Sequence, residues 1–284
     1  MKKRILILGS GGQIGAYLTY YLNERGYEVL EFDVVNGLHQ DMTEIPNPEL
    51  HRLIRRSHFV YFLAFDVGGS HYLKKYQHTF KFIDNNARMM ANVFGLLEKY
   101  NKPFVFASSQ MSNMSYSPYG VMKRVGELYT KSLGGLIVKF WNVYGIEKDM
   151  EKAHVITDFI RKGFETGVID MMTDGTEARE FLYAEDCCEA LEIIMGHYDK
   201  LSSDDELHIT TGSHTTILEI ARIIQRLFST IDKEVVITRS ECIDEVQKDA
   251  RNKPDPYIQK FWRAKTSVKE GLSIVFFKMR NDYE

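Results

Sequence analysis

Ile5-Leu6-Ile7-Leu8-Gly9-Ser10-Gly11-Gly12-Gln13-Ile14-Gly15 joins an unbroken apolar run to a turn punctuated by glycine. A short continuous apolar run reads as a strand buried on both faces. The amphipathic stretch after it, Ile14 to Arg25, reads as a helix. Glycines at 9, 12 and 15 therefore fall between a strand and a helix in a G-x-x-G-x-x-G pattern. Glycine permits the tight turn and close backbone approach to a pyrophosphate, while the helix N-terminus offers it free N–H groups. An ordinary tight turn also uses glycine, and the spacing is not G-x-G-x-x-G, so context decides. The next apolar run, Tyr27–Phe32, ends at Asp33, near where a carboxylate accepts from a ribose 2′-OH. Gly9, Gly12, Gln13, Ile14, Gly15 and Asp33 are the first candidate cofactor residues.

Moving outward, the rhythm repeats. Apolar runs Phe59–Ala64, Phe104–Ala107 and Leu136–Trp141 alternate with helical patterns over His78–Tyr100 and Ser117–Leu133. Strands and helices taking turns, with continuous rather than alternating apolar strands, mean a parallel sheet covered on both faces. Past Asn142 the pattern changes. Helices are expected near His154–Glu165, Ala184–His197, Thr216–Phe228 and Ser267–Met279, with strands near Val168–Met171, Leu207–Thr210 and Glu234–Thr238. The expected organisation is a nucleotide-binding domain over 1–150 and a smaller subdomain over 151–284. The second is partly interleaved with the first, and pieces of it are free to extend the main sheet.

Composition bounds the function. Of 284 residues, 44% are apolar and 26% charged, with a net charge of −3, which suits a globular core and argues against global disorder. No basic excess exists to collect polyanions, so nucleic-acid binding is not expected. The apolar run after Met1-Lys2-Lys3-Arg4 is shorter than the about 7–15 residues of a signal-peptide core. No stretch reaches the about 18 apolar residues of a membrane span, and a cytoplasmic protein is expected. Cys187, Cys188 and Cys242 lack metal or disulfide-scaffold spacing and read as reduced thiols. The scattered histidines, His154 among them, form no metal pattern and read as solvated or packed.

Chemistry enters with Tyr119-Gly120-Val121-Met122-Lys123, on a helix after a strand tipped by Ser108-Ser109. Tyr119 and Lys123, four apart, share a helix face. A phenol with a reference pKa of about 10 is a poor base at neutral pH, but a nearby ammonium and a cationic nicotinamide both favour the phenolate. Tyr119 is then a candidate acceptor for a substrate hydroxyl proton. Ser109, at the carboxyl end of a strand where ligands bind in such sheets, is placed to hydrogen-bond the same hydroxyl.

These motifs together resemble the extended short-chain dehydrogenase/reductases, specifically the NAD-dependent nucleotide-sugar epimerase/dehydratase family, over nearly the whole chain. The resemblance implies a Rossmann-type doubly wound parallel α/β sheet with a smaller C-terminal α/β substrate subdomain. It implies NAD as cofactor and a nucleotide sugar as substrate. The family's glycine motif and NAD-selecting aspartate match Gly9, Gly12, Gly15 and Asp33. Its adenine-contacting pair resembles Asp41-Met42, its strand-four cofactor stretch Leu63-Ala64-Phe65, and its cofactor-binding asparagine Asn85. Its catalytic triad matches Ser109, Tyr119 and Lys123, with the last two also contacting the cofactor. The stretch Trp141-Asn142-Val143-Tyr144-Gly145 implies that Asn142 touches substrate. Gly175 to Tyr183 implies that Arg179 contacts the substrate phosphates, with Arg251 a second such arginine, and Asp186 a structural residue. The helices over His78–Tyr100 and Ser117–Leu133 are implied to pair with their copies in a homodimer.

Two departures shape the expected reaction. Only residues 110–118 separate Ser109 from Tyr119, where relatives carry a longer loop beside the substrate pocket, so substrate identity does not transfer. The 4,6-dehydratases follow their serine or threonine with an Asp-Glu pair, where this chain has Gln110-Met111, and elimination of water needs a placed acid and base. Glu147 or Asp149, just past Gly145, are the remaining carboxylates for that role. The expectation is an enzyme, oxidising a nucleotide sugar at C4 as an epimerase or net 4-dehydrogenase. A 4,6-dehydratase, a 4-keto reductase and a non-catalytic dinucleotide sensor or scaffold are the alternatives.

Overall fold

The computed structural model of the chain describes residues 2–244, 246–247 and 253–283. The elements run β1 (Arg4–Leu8), α1 (Gln13–Glu24), β2 (Glu28–Phe32), α2 (Pro48–Arg56), β3 (Phe59–Phe62), α3 (Ser70–Tyr76), α4 (Phe80–Tyr100), β4 (Phe104–Ser109), α5 (Pro118–Ser132) and β5 (Leu136–Phe140). Then follow β6 (Asn142–Tyr144), α6 (Val155–Thr166), β7 (Val168–Asp170), β8 (Ala178–Arg179), β9 (Phe181–Tyr183), α7 (Ala184–Gly196), β10 (Leu207–Ile209), β11 (Thr215–Thr216), α8 (Ile217–Ser229), β12 (Val236–Thr238) and α9 (Val268–Arg280).

The central sheet has the order β10-β5-β4-β3-β1-β2, and every pairing in it is parallel. The continuous apolar runs are the reason. Ile5 and Ile7 join one core with Leu18, Val105, Val138 and α7, while Leu6 and Leu8 join another with Val60, Phe62, Val93 and Phe106. Both faces of β1, β3, β4 and β5 are thus covered, as the doubly wound arrangement requires, while β2 at the sheet edge stays partly exposed. The chain leaves β1 toward β2 on one side and β3 on the other, which opens a crevice beyond the strand ends. β10, from the second half of the chain, extends the sheet beside β5.

A second core joins α6, α8 and α9 around Phe159, Ile160, Ile224, Phe228 and Phe276. Short pairings β6–β9, β7–β12 and β8–β11 carry the chain between the two cores. Asp186 sits on α7 and accepts from the backbone N–H groups of Lys265 at 3.0 Å and Thr266 at 2.8 Å, tying α7 to the segment before α9.

Two helices have no counterpart in the apolar rhythm. α2 carries its signals locally: Asn47 caps it, Pro48 starts it and Leu50, Leu53 and Ile54 are its buried residues. α3 has Leu73 alone buried, too little for a period to show. On α4 the apolar content predicts burial on two faces, but in the single chain Phe80 is 80% and Ile83 40% exposed. One face is covered by the sheet and by α5; the other is open. Among the described residues, no helix is long and apolar enough to cross a membrane.

Candidate active site

The glycine turn builds the first wall. Gly9 has φ +93°, and a Cβ there would lie 2.6 Å from the Ala64 nitrogen. A Cβ on Gly15 would lie 2.0 Å from the Gly9 oxygen. These glycines serve the fold itself. Gly12 differs: the nearest atom to its added Cβ is the Gly9 oxygen, at 3.5 Å, an ordinary contact. No protein atom demands a glycine there, yet Gly12 lines a cavity of about 800 Å³. It also caps α1, which has neither a side-chain cap nor an acidic residue in its first turn. An uncapped helix N-terminus behind a glycine facing open space fits a dinucleotide pyrophosphate. The Gln13 amide lies against Gly145 and couples this turn to the segment after β6.

Asp33 borders the same cavity. Its carboxylate accepts from Gly11 N at 2.9 Å and Val35 N at 3.1 Å, which fixes it at the end of β2. Asp41, Met42, Leu63, Ala64, Phe65 and Asn85 line the cavity too, as do Ile14, Ser109, Tyr119 and Lys123. Asp41 accepts from the Thr43 backbone and hydroxyl, both at 2.8 Å. Asn85 donates to Asp66 at 3.2 Å. The neighbouring Asn86 is fully buried and holds the loop through Asp66 and Phe82. These residues fit a bound NAD: a cradle for the pyrophosphate, a carboxylate for the ribose and an apolar wall at Met42.

β4 runs on to Ser109 rather than ending at Ala107. Ser109 then accepts from Met111 N at 3.1 Å and starts the short turn Gln110–Asn113. α5 begins directly after, capped by Ser117 with Pro118 in its first turn. A Cβ on Gly120 would lie 2.1 Å from the Met111 oxygen, so α5 presses its first turn onto the turn after Ser109. That close approach is how residues 110–118 suffice: Tyr119 comes to lie with Ser109 on one wall of the cavity. Lys123 donates to the Ala107 carbonyl at 2.6 Å and lies 3.7 Å from the centroid of the Phe65 ring.

The electrostatics differ from the sequence expectation. Burial pushes the Tyr119 hydroxyl up to about 12, with Ser109 pulling the other way. Burial also pushes the Lys123 ammonium down to about 7, opposed by Glu127. Desolvation disfavours both charged forms and outweighs any help the lysine gives the phenol. The Lys123 ammonium lies 5.8 Å from the Tyr119 ring centroid, and its hydrogen bond goes to the Ala107 carbonyl. Making Tyr119 a base requires an added positive charge, and the oxidised ring of NAD carries one.

A second cavity, about 220 Å³, shares Ser109, Tyr119, Trp141, Val143 and His154 with the first. Asn142 and Arg179 line it. Arg179 pairs with Asp244 at 2.5 Å and donates to the Gln247 carbonyl at 3.1 Å. Val246 packs with Met111, Met114 and Tyr119, and Gln110 donates to Gln247 at 3.0 Å. Asp244, Val246 and Gln247 thus close one side of this cavity. Arg251 lies outside the described residues.

Sequence reasoning missed Asp66 and Lys152 on these walls, and named Glu147 as a candidate carboxylate without its partner His154. Asp66 accepts from the Tyr72 hydroxyl at 2.6 Å and pairs with Lys152 at 3.4 Å, and no local motif announces it. Glu147, nearly buried, holds the His154 ring at 2.6 Å and its backbone N–H at 2.8 Å. Burial lowers the His154 ring's proton affinity, but Glu147 prevails and raises it. The proximity of Glu147 and His154 in sequence was the available signal; a lone histidine reads as bland because nothing locally shows what it faces.

The profile of the NAD dependent epimerase/dehydratase family matches residues 5–210. A GDP-L-fucose synthase of Sinorhizobium fredii is 26% identical, over 95% of this chain and 93% of its own. A UDP-N-acetyl-alpha-D-glucosaminuronate decarboxylase of Bacillus cytotoxicus is 28% identical over 83% of each. In fold, the UDP-glucose 4-epimerase of Thermotoga maritima, solved with UDP-glucose, superposes with a TM-score of 0.80 at 20% identity, over 99% of this chain and 100% of that one. A parallel central sheet, a glycine cradle at its crevice and a match over most of the chain lead to one assignment: the chain belongs to the NAD dependent epimerase/dehydratase family, and its cofactor is NAD.

Proposed function

We propose that the protein oxidises a nucleotide-activated sugar at C4, as a sugar epimerase or a net 4-dehydrogenase. The observation that carries this reading is the placement of Ser109 and Tyr119 on the wall shared by the two cavities. A sugar held in the smaller cavity presents its hydroxyl to Tyr119 beside the cofactor. NAD, when bound, supplies the hydride acceptor and a positive charge. Tyr119 takes the hydroxyl proton, Ser109 orients the hydroxyl, and Lys123 holds charge and position behind Tyr119. Asn142 and Arg179 bind the substrate's sugar and phosphates, and Arg251 is a second phosphate contact. Gly9, Gly12, Gln13, Ile14, Gly15, Asp33, Asp41, Met42, Leu63, Ala64, Phe65 and Asn85 hold NAD. The relatives named above act on GDP- and UDP-linked sugars by their names, which supports the substrate class and leaves the base open.

In this reading residues 1–150 bind NAD and 151–284 mainly bind substrate. The exposed apolar side chains of α4 and α5, Phe80, Ile83, Val121 and Leu128, pair with their copies in a homodimer. The free, buried Cys187 and Cys188 suit a reducing cytoplasm. The experiment is Tyr119→Phe in the NAD-loaded enzyme. Turnover is expected to fall by about 10²–10⁴-fold with NAD still bound; wild-type turnover would overturn the mechanism.

A second reading is favoured by Glu147 and His154. This hydrogen-bonded pair lines the cofactor cavity, and His154 also lines the smaller one. It supplies the acid and base that Gln110 and Met111 do not, so proton transfer at a carbon beside the C4 ketone, or loss of water, is the rival outcome. His154→Asn separates the readings: it leaves simple C4 chemistry near wild type and abolishes the rival reaction.

A further inference from the structure

Tyr119, Lys123 and Glu127 recur every fourth residue on α5, on one face of the helix. Tyr119 and Lys123 have roles in the proposed reaction. Glu127 does not, yet its side chain is only 1% exposed. Its carboxylate accepts from the Ser108 hydroxyl at 2.5 Å and from Arg124 at 2.7 Å, and lies 3.7 Å from the Lys139 ammonium. Lys139 is equally buried. Beneath Glu127 the sheet carries a polar row: Ser108 of β4, Lys139 of β5 and His208 of β10 are register partners across three strands.

The row continues to the substrate side. Lys139 pairs with Glu206 at 3.1 Å, Glu206 meets the His208 ring at 3.0 Å, and Trp141 meets the other nitrogen of that ring at 3.1 Å. Trp141 lines both cavities. Stability does not account for such a row, because replacing a buried ion pair by well-packed apolar residues is often neutral or stabilising. Its two ends do account for it. One end is the residue next to Ser109, and the other is a cavity wall.

We propose that Glu127 is a positioning residue for this active site: its carboxylate holds Ser108, and with it the strand end that presents Ser109, and places a negative charge one helical turn from Lys123. The proposal rests on the Ser109–Tyr119–Lys123 reading above. The groups facing Glu127 are Arg124 from its own helix, Ser108 from β4 and Lys139 from β5. Those facing Lys123 are Tyr119 and Glu127 from α5, the Ala107 carbonyl and Phe106 ring from β4 and the Phe65 ring from the loop after β3. Glu127 is the only carboxylate acting on that ammonium among the described residues. Burial otherwise drives Lys123 toward its neutral form.

The test is the pH profile of kcat at saturating NAD, for whichever nucleotide sugar the enzyme accepts. In Glu127→Gln, the fall in kcat at alkaline pH, where Lys123 loses its proton, is expected to move to lower pH by about one unit. Glu127→Asp keeps the charge and is expected to restore most of that shift. Lys139→Met removes a positive neighbour of Glu127, so its alkaline limb is expected to stay or move to higher pH, opposite to Glu127→Gln. A merely structural network would give both variants the same direction. If Glu127→Gln does not fold, Glu127→Gln combined with Lys139→Met removes both buried charges together, and its limb is read against Lys139→Met alone. An unmoved alkaline limb in a folded Glu127→Gln protein overturns the proposal while Tyr119→Phe remains inactive. Wild-type turnover in Tyr119→Phe instead overturns the underlying reading.

Discussion

The two cavities that meet at Tyr119 are built in different ways. One wall of the larger is shaped by backbone, a glycine turn, the N-terminus of α1 and the ends of β1, β2 and β3, and faces side chains such as Asn85, Lys123 and Lys152. The smaller is shaped by side chains from distant segments, with Asn142 on β6, Arg179 on β8, Met111 after β4 and Asp244 beyond β12. A backbone cradle needs particular residue types at fixed local spacing, because steric limits are local. A side-chain pocket needs only that the fold bring its groups together, and many sequences satisfy that. The first kind of site constrains the cofactor; the second leaves the substrate to whatever the converging side chains present.

The largest effect that would break this contrast is on Gly12. Its Cβ would meet no close protein atom, so Gly12→Val is expected to leave the thermal midpoint near wild type. NAD affinity should fall by about 100-fold or more, since each tenfold costs only about 1.4 kcal/mol. Calorimetric titration with NAD checks this, and unchanged affinity would mean that the turn serves only the fold. Gly15→Ala is the contrasting variant: its Cβ collides with the Gly9 oxygen at 2.0 Å, and it should lower stability itself.

On the substrate side, Arg179→Met is expected to raise KM for a nucleotide sugar by about tenfold or more while NAD affinity stays unchanged, as loss of a charged hydrogen bond implies. Steady-state kinetics at saturating NAD reads it. A change in NAD affinity instead would place Arg179 in the wrong cavity. Asp33 sharpens the contrast from the cofactor side. NAD is expected to bind at least about tenfold more tightly than NADP at one ionic strength, because the Asp33 carboxylate repels a 2′-phosphate. Asp33→Asn should narrow that ratio, and equal binding by the wild type would contradict the assignment.

The legibility of the chain follows the same division. β1, α1, β2, β4, α5 and β5 were readable because a doubly wound sheet demands continuous apolar strands and one-sided helices. The candidate cofactor residues from Gly9 to Asn85 came from local motifs and from the family resemblance, and the structure gathers them around one cavity. α2 and α3 were not, since each buries few apolar residues. Asp66, Lys152 and the Glu147–His154 pair were not, because their meaning lies in what faces them across the crevice. The direction of the Tyr119 shift differs from the sequence expectation for a related reason. Sequence shows that an ammonium lies nearby, but not that both groups are shut away from water.

The smallest expected effect is on stability. The folded chain releases the Lys123 proton at about 7, whereas the unfolded chain keeps it to about 10. Between those values unfolding takes up a proton, so the Lys123 contribution to stability rises with pH. Above about 10 the trend turns over, because the buried Tyr119 keeps its proton to about 12 while the unfolded chain has released it. Urea unfolding of the wild type and Lys123→Met at pH 7 and 9.5 is expected to show a difference that shifts in favour of the wild type as pH rises. A difference independent of pH would mean that Lys123 is not buried as a charge-sensitive group.

The proposed oxidation is tested most directly by weighing the product. A panel of UDP- and GDP-linked sugars is incubated with the NAD-loaded enzyme, and the accepted substrate is run to completion. The account predicts a product of unchanged mass inverted at C4, or one lighter by two hydrogens with its C6 hydroxyl intact. A product lighter by one water, with a new methyl signal at C6 in the proton NMR spectrum, would contradict it and give the reaction to Glu147 and His154.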